Sequence, residues 1–193
     1  MLPATASQQV QERRMEFLSE YRGHTREIIG LFRAAFTASE GEAEGGLIAG
    51  LVRDIFAKTP DQDLFVFSAW DGSTLIGCIM FSRLRYDQDS RTVFLLSPVA
   101  VSPSRQRQGI GQALLKHGLS RIREHGVDVA VTYGDPAYYG KTGFRQITEA
   151  QAAAPVPLRF PEGWLAQPLS GAELAPLRGP SSCIEALNNP DYW

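Results

Sequence analysis

The sequence predicts a mixed α/β domain built round one central, mostly antiparallel sheet of about six to seven strands flanked by helices. Three observations carry this. Apolar residues follow helical spacing before residue 60 and gather into strand-like runs after it. Two of those runs, 64–70 and 74–84, are separated only by Asp71, Gly72 and Ser73, a short turn signal. The later runs alternate with helical segments instead of following one another directly.

Taken in order, residues 1–14 are polar and aperiodic and read as a loose tail. Residues 15–22 read as a first strand. Ile28, Ile29, Leu31, Phe32, Ala35 and Phe36 then repeat at helical spacing, and so do Leu47, Ile48, Leu51, Val52, Ile55 and Phe56. Between them the Gly/Glu-rich stretch 39–46 is expected to be a break. After the 64–84 hairpin comes a buried strand at 91–101. Pro98 interrupts it and, lacking an N–H, predicts a bulge or splayed edge. A helix is expected over 111–125, ended by Gly126, and a buried strand over 127–133. Asp135 and Pro136 suit the N-cap and first position of a short helix that Gly143 closes. A strand is expected to begin at 144–150 and another to lie at 164–169. The core then covers 15–150, with 151–193 supplying a last strand and tail to the same domain. Tyr192 and Trp193 place two large aromatics at a polar terminus, and they are expected to dock on the domain or on a partner subunit.

The chain has 193 residues, 44% hydrophobic and 21% charged, enough for one compact domain with a sizeable core. A net charge of −2 gives no electrostatic case for a nucleic-acid partner. No apolar run is long enough to span a bilayer, and the first residues hold no signal-peptide core. Cys78 and Cys183 are far apart and form no metal pattern; Cys78, in an apolar run, is expected to be packed. These features predict a cytoplasmic protein with no membrane partner and no metal.

The chemistry gathers after the 91–101 strand. Gln106, Arg107, Gln108, Gly109, Ile110 and Gly111 stand between a buried strand and an amphipathic helix. Amide groups at a helix start point outward unpaired, at the positive end of the dipole. A diphosphate fits there if no side chain blocks the backbone, and Gly109 and Gly111 remove those side chains while Arg105 and Arg107 add charge. The same glycines also suit a plain tight turn. A dinucleotide fingerprint is a poor fit, because the third glycine is missing. Gly134 to Gly140, Lys141 and Thr142 approach a P-loop, but five residues intervene where four are required. Tyr138 and Tyr139 also stand where such a loop needs access to its backbone, so nucleotide hydrolysis is kept only as a third, rival reading.

The segment from Gln106 through Gly109 to Gly111 resembles the coenzyme A signature of the GNAT N-acetyltransferase superfamily, [Q/R]-x-x-G-x-[G/A]. Tyr139, Gly143 and Phe144 are similar to its Y-x-x-x-G-F pattern. The run GDPAYYGKTGF resembles the YhbS-like bacterial subgroup. The resemblance covers roughly 15–150 and implies a single GNAT-type domain that uses acetyl-CoA as cosubstrate and acetylates an amine, in a small molecule or a protein. A homodimer is left open. It also implies that Val99, Ala100 and Val101 run beside the pantetheine arm, with a backbone N–H near Val99 as oxyanion donor. The loop Gln106, Arg107, Gln108, Gly109, Ile110, Gly111 and Gln112 would hold the diphosphate, and Tyr139 would be the general acid toward the leaving thiolate. Tyr138 is the neighbouring alternative for that role, although its side chain is expected to point elsewhere on the same short helix. Where some members carry a glutamate on the strand, this chain has none between Val93 and Ser97. The base is open among Asp135, Glu40, Glu42, Glu44 and water, and Asp135 also suits a simple N-cap. No cysteine lies in the motifs to carry an acyl group, so direct attack is expected. The missing base leaves a catalytically silent acyl-CoA-binding module as the alternative.

Overall fold

The computed structural model describes residues 15–171 and 173–193. The tail expected over 1–14 lies outside the described residues. β1 (Met15–Leu18) leads into α1 (Thr25–Glu40) and α2 (Glu42–Lys58). The hairpin of β2 (Leu64–Asp71) and β3 (Thr74–Tyr86) follows, then β4 (Val93–Val101), α3 (Ile110–Glu124) and β5 (Val129–Tyr133). A short α4 (Pro136–Tyr139), β6 (Arg145–Gln146), β7 (Trp164–Pro168) and β8 (Ser181–Ser182) complete the chain.

The sheet order is β1-β2-β3-β4-β5-β7-β6, with the two-residue β8 added at the far end of β3. Among the described residues only β4 and β5 run parallel, and every other pairing is antiparallel. Side chains alternate between two apolar layers. Val66, Val93, Leu95, Val129 and Val131 face α1, α2 and the C-terminal segment. Phe67, Phe94, Leu96 and Ala130 face α3. Covering both faces is what makes these strands read as unbroken apolar runs. Ile28, Leu31, Phe32 and Ala35 are the buried stripe of α1, at the i, i+3, i+4, i+7 spacing that one helix face requires. No described helix is long and apolar enough to cross a membrane.

Two expectations need correction. The stretch 39–46 is not a loop: Gly41 alone breaks the helices, at φ 99°, and α2 starts at once. Glu42 and Glu44 belong to its first turn, where a helix dipole favours acidic side chains. The strand expected over 144–150 is two residues long. Thr148 N–H donates to Gln151 Oε1 at 3.1 Å and Gln151 N–H to Thr148 O at 2.9 Å, so local bonds replace the ladder there.

Trp193 docks as expected. It is 5% exposed, its Nε1–H donates to Leu187 O at 2.9 Å, and its ring lies against Tyr133 and Trp164, with centroids 6.1 and 6.0 Å away. Tyr192 packs at the edge of the same layer, half-buried. Trp193→Ala is therefore expected to cost about 3 kcal/mol, the low end for losing a buried Trp side chain. Chemical denaturation checks this: a midpoint equal to that of the unmodified chain would mean that the ring contributes nothing.

Candidate active site

β4 and β5 pair over four rungs, from Val93 opposite Val129 to Leu96 opposite Thr132, and then part. Pro98 brings no N–H to a ladder. Opposite it the β3–β4 register slips between Ile79 and Phe81, the irregularity that the sequence predicted. On its other side β4 stays paired to β3 as far as Val101. Ser102 N–H donates to Ile76 O at 2.9 Å. Backbone groups alternate in direction along a strand, so the Ala100 N–H also turns to β3. The N–H groups of Val99 and Val101 consequently face the open seam.

From β4 the chain passes through a 3-10 turn at Pro103–Arg105 and enters α3 over Gly109. Gly109 is the N-cap at φ 79°, a left-handed conformation that glycine adopts without strain. Arg107, at φ 61°, is the one non-glycine residue with positive φ among the described residues. Left-handed residues in such a turn fold successive N–H groups toward one concavity. No side chain caps α3. The N–H groups of Ile110, Gly111 and Gln112 therefore have no partner within the helix and stand at its positive end.

Seam and helix start open on one cleft of about 600 Å³. Val99, Val101, Gln106, Arg107, Gly109, Ile110, Gly111, Gln112 and Tyr139 line it, all of them sequence candidates. Two other candidates do not. Ala100 turns its side chain into the opposite apolar layer, and Gln108 is exposed, its Nε2 donating to Ser104 O at 3.4 Å. Gln106 reaches back across the loop, its Nε2 donating to Val101 O at 3.3 Å. The wall also includes Arg105, Lys141 and Tyr138. Arg105 is paired with Asp71, which holds its charge at the β2–β3 turn. Tyr138 was expected to point elsewhere, and this is a correction. It is half-buried with its hydroxyl over Gly111. Successive residues on a helix diverge by about 100°. Both tyrosines nevertheless line the cleft.

Asp135 is the N-cap of α4, its Oδ1 accepting the Ala137 N–H at 2.8 Å. A 3-10 turn at Gly140–Thr142 follows and Gly143 closes it, so Lys141 stands on a short turn and feeds no long helix. That excludes the P-loop geometry. The Tyr139 ring meets Tyr138 edge-on at 5.1 Å and Phe144 at 5.8 Å. It packs so closely on Gly134 that a Cβ there would lie 2.8 Å from a ring carbon. Burial pushes the Tyr139 phenol up to about 12, an effect that the neighbouring Thr132 hydroxyl partly offsets. Thr132 itself donates to Leu96 O at 3.0 Å, on the last rung before the strands part. The phenol thus stands at the apex of the seam. Among the described residues no carboxylate lines the cleft. Glu42 lies 3.5 Å from Arg33 instead.

Comparison with known proteins agrees with this geometry. Over 147 residues the chain is 28% identical to the uncharacterized N-acetyltransferase YjhQ of Escherichia coli K12, covering 74% of this chain and 78% of that one. It is 31% identical over 117 residues to the uncharacterized N-acetyltransferase YhbS of the same strain, covering 61% and 65%. The fold matches the crystal structure of E. coli YhbS in complex with CoA at a TM-score of 0.76, with 24% identity over 92% of this chain and 93% of that one. It matches a GNAT family acetyltransferase from Brucella melitensis in complex with acetyl-CoA at 0.68, also at 24% identity, over 90% and 98%. The model of the Acetyltransferase (GNAT) family matches residues 25–144. That stretch is more than half of the chain and runs from α1 through the seam and the 106–112 loop to Phe144, so the protein belongs to the GNAT acetyltransferase family.

Proposed function

We propose that this chain transfers the acetyl group of acetyl-CoA to an amine by direct attack, using the cleft between β4, α3 and α4. One observation carries the reading: two sets of unpaired backbone N–H groups, on the seam and at the start of α3, open on the same cleft. The N–H groups of Ile110, Gly111 and Gln112, with the Arg107 side chain nearby, suit a diphosphate. The N–H of Val101 suits an amide carbonyl of a pantetheine arm, taken up as an added strand, and that of Val99 the thioester carbonyl. Relatives of the same fold crystallised with CoA and with acetyl-CoA support this use of the cleft.

The chemistry follows from where the groups stand. The amine nitrogen attacks the thioester carbon, and the Val99 N–H stabilises the charge that builds on the carbonyl oxygen. As the carbon–sulfur bond breaks, Tyr139 donates its O–H toward sulfur and the thiol leaves. The proton lost by the amine passes to water, which returns one to the phenol. A phenol near 12 is a weaker acid than an ordinary thiol near 8.5. The phenol therefore rests protonated throughout the neutral range and gives up its proton only as full negative charge develops on the sulfur, water restoring it afterwards. Direct attack is favoured because no cysteine lines the cleft among the described residues, and Cys78 is buried in the opposite layer, its thiol pushed up by burial. The acceptor is a small-molecule or protein amine. Assaying acetyl-CoA turnover against a panel of both tests the proposal. Tight binding without turnover on any amine would favour a silent acyl-CoA-binding module.

Two variants separate the roles. Tyr139→Phe keeps the ring and removes the proton, so kcat should fall at least tenfold with coenzyme A affinity nearly unchanged. Normal turnover under conditions where chemistry limits the rate would rule the acid role out. At the loop, Asn and Asp both tolerate the left-handed conformation of Gly109 and differ in charge alone. Calorimetry should find coenzyme A binding at least tenfold weaker in Gly109→Asp than in Gly109→Asn. Equal affinities would show that no anion sits at the start of α3.

A further inference from the structure

Gly111 and Tyr138 are coupled in a way that the phosphate loop alone does not explain. Gly111 lies in the first turn of α3, where its N–H has no helical partner. A Cβ on Gly111 would collide with the Tyr138 hydroxyl and lie 3.5 Å from the phenol Cζ. The small residue at 111 is thus required by a side chain from α4. Tyr138 lines the cleft and is half-buried, its ring set edge-on to Tyr139. Its hydroxyl makes no hydrogen bond to any described residue, and burial alone displaces its titration upward. The molecule therefore holds a protonated, unpartnered O–H beside three unpaired N–H groups, all facing one cleft.

We infer that the Tyr138 hydroxyl is a donor in the diphosphate cradle and that residue 111 is glycine so that this phenol can sit over the first turn of α3. The inference rests on the reading of the cleft as an acetyl-CoA site. A phenol O–H donating to a phosphate oxygen is a charge-assisted hydrogen bond, stronger than a neutral one. It also fixes a division of labour between adjacent residues: Tyr138 binds the diphosphate and Tyr139 serves the sulfur.

The test is calorimetric titration with two probes, coenzyme A and 3′-phosphoadenosine 5′-diphosphate, which keeps the diphosphate and lacks the pantetheine arm. Tyr138→Phe should weaken both probes by the same factor, roughly tenfold for a lost hydrogen bond to a charged group. Gly111→Ala, a favourable change for helix propensity, should weaken both to a similar extent by displacing the phenol. The double variant Gly111→Ala/Tyr138→Phe should lose little more than either single one, because both remove the same contact. Coenzyme A binding within twofold of the unmodified chain in Tyr138→Phe would overturn the assignment. So would a loss seen with coenzyme A and absent with the truncated probe, since the hydroxyl would then serve the pantetheine. Fully additive losses in the double variant would mean that Gly111 is needed for the ligand's own approach to the backbone. An unmodified chain that binds neither probe would instead defeat the acetyl-CoA reading itself, and this inference with it.

Discussion

Two parallel strands that begin a ladder and then separate leave a row of backbone donors and acceptors with no sheet partner. Burying such groups unpaired costs about as much as losing hydrogen bonds outright, so they must meet water or a ligand. In this protein the separation follows Leu96, where Pro98 cannot donate and the register against β3 slips. The rest of the active-site architecture is arranged around that seam. Strand β4 leads through a turn into α3 and β5 leads into α4, and residues of both helices line the cleft beside the seam. The free N–H groups of a strand edge and of a helix start are thereby brought to one cleft.

The opposite layer keeps the open seam rigid. Behind the end of β5, Tyr133 packs against Trp193, which in turn meets Trp164 on the neighbouring strand β7. The Tyr133 hydroxyl also accepts the Phe160 N–H at 2.7 Å, tying down the segment that leads into β7. β5 is thus held by β7 and by aromatic packing where β4 no longer supports it. On the cleft side, the absence of a side chain at Gly134 and Gly111 seats Tyr139 and Tyr138 respectively. Glycine here acts less through backbone freedom than through the space it gives to a neighbouring phenol.

Much of this was legible in the residue order. The helical stripe of α1, the β2–β3 hairpin, the Pro98 irregularity, the Asp135 cap and the glycine-led start of α3 are local features, each set by a few neighbouring side chains. The same holds for the glycine-led loop at 106–112, because capping is decided within a turn or two; the flanking valines and Tyr139 were picked out through the resemblance to the GNAT family. Local reading failed where competing local bonds were close in energy. At 39–46, glutamates and glycines look like a loop, yet one glycine is enough for the break and the acidic residues start a helix. At 147–151, Thr148 and Gln151 capture their own backbone and end a strand that its apolar pattern favours.

The sequence by itself therefore determined the order and type of the main elements, where the sheet is interrupted, and which loop presents free amides, because propensity, periodicity and the missing N–H of proline act over short distances. Tertiary structure alone decided what shares the cleft. The insertion of β7 between β5 and β6, the stacking of Trp193 on Tyr133 and the turn of the Tyr138 hydroxyl onto Gly111 join residues many positions apart. Such contacts are fixed by which surfaces can be buried together once the sheet has formed, and no spacing along the chain encodes that choice.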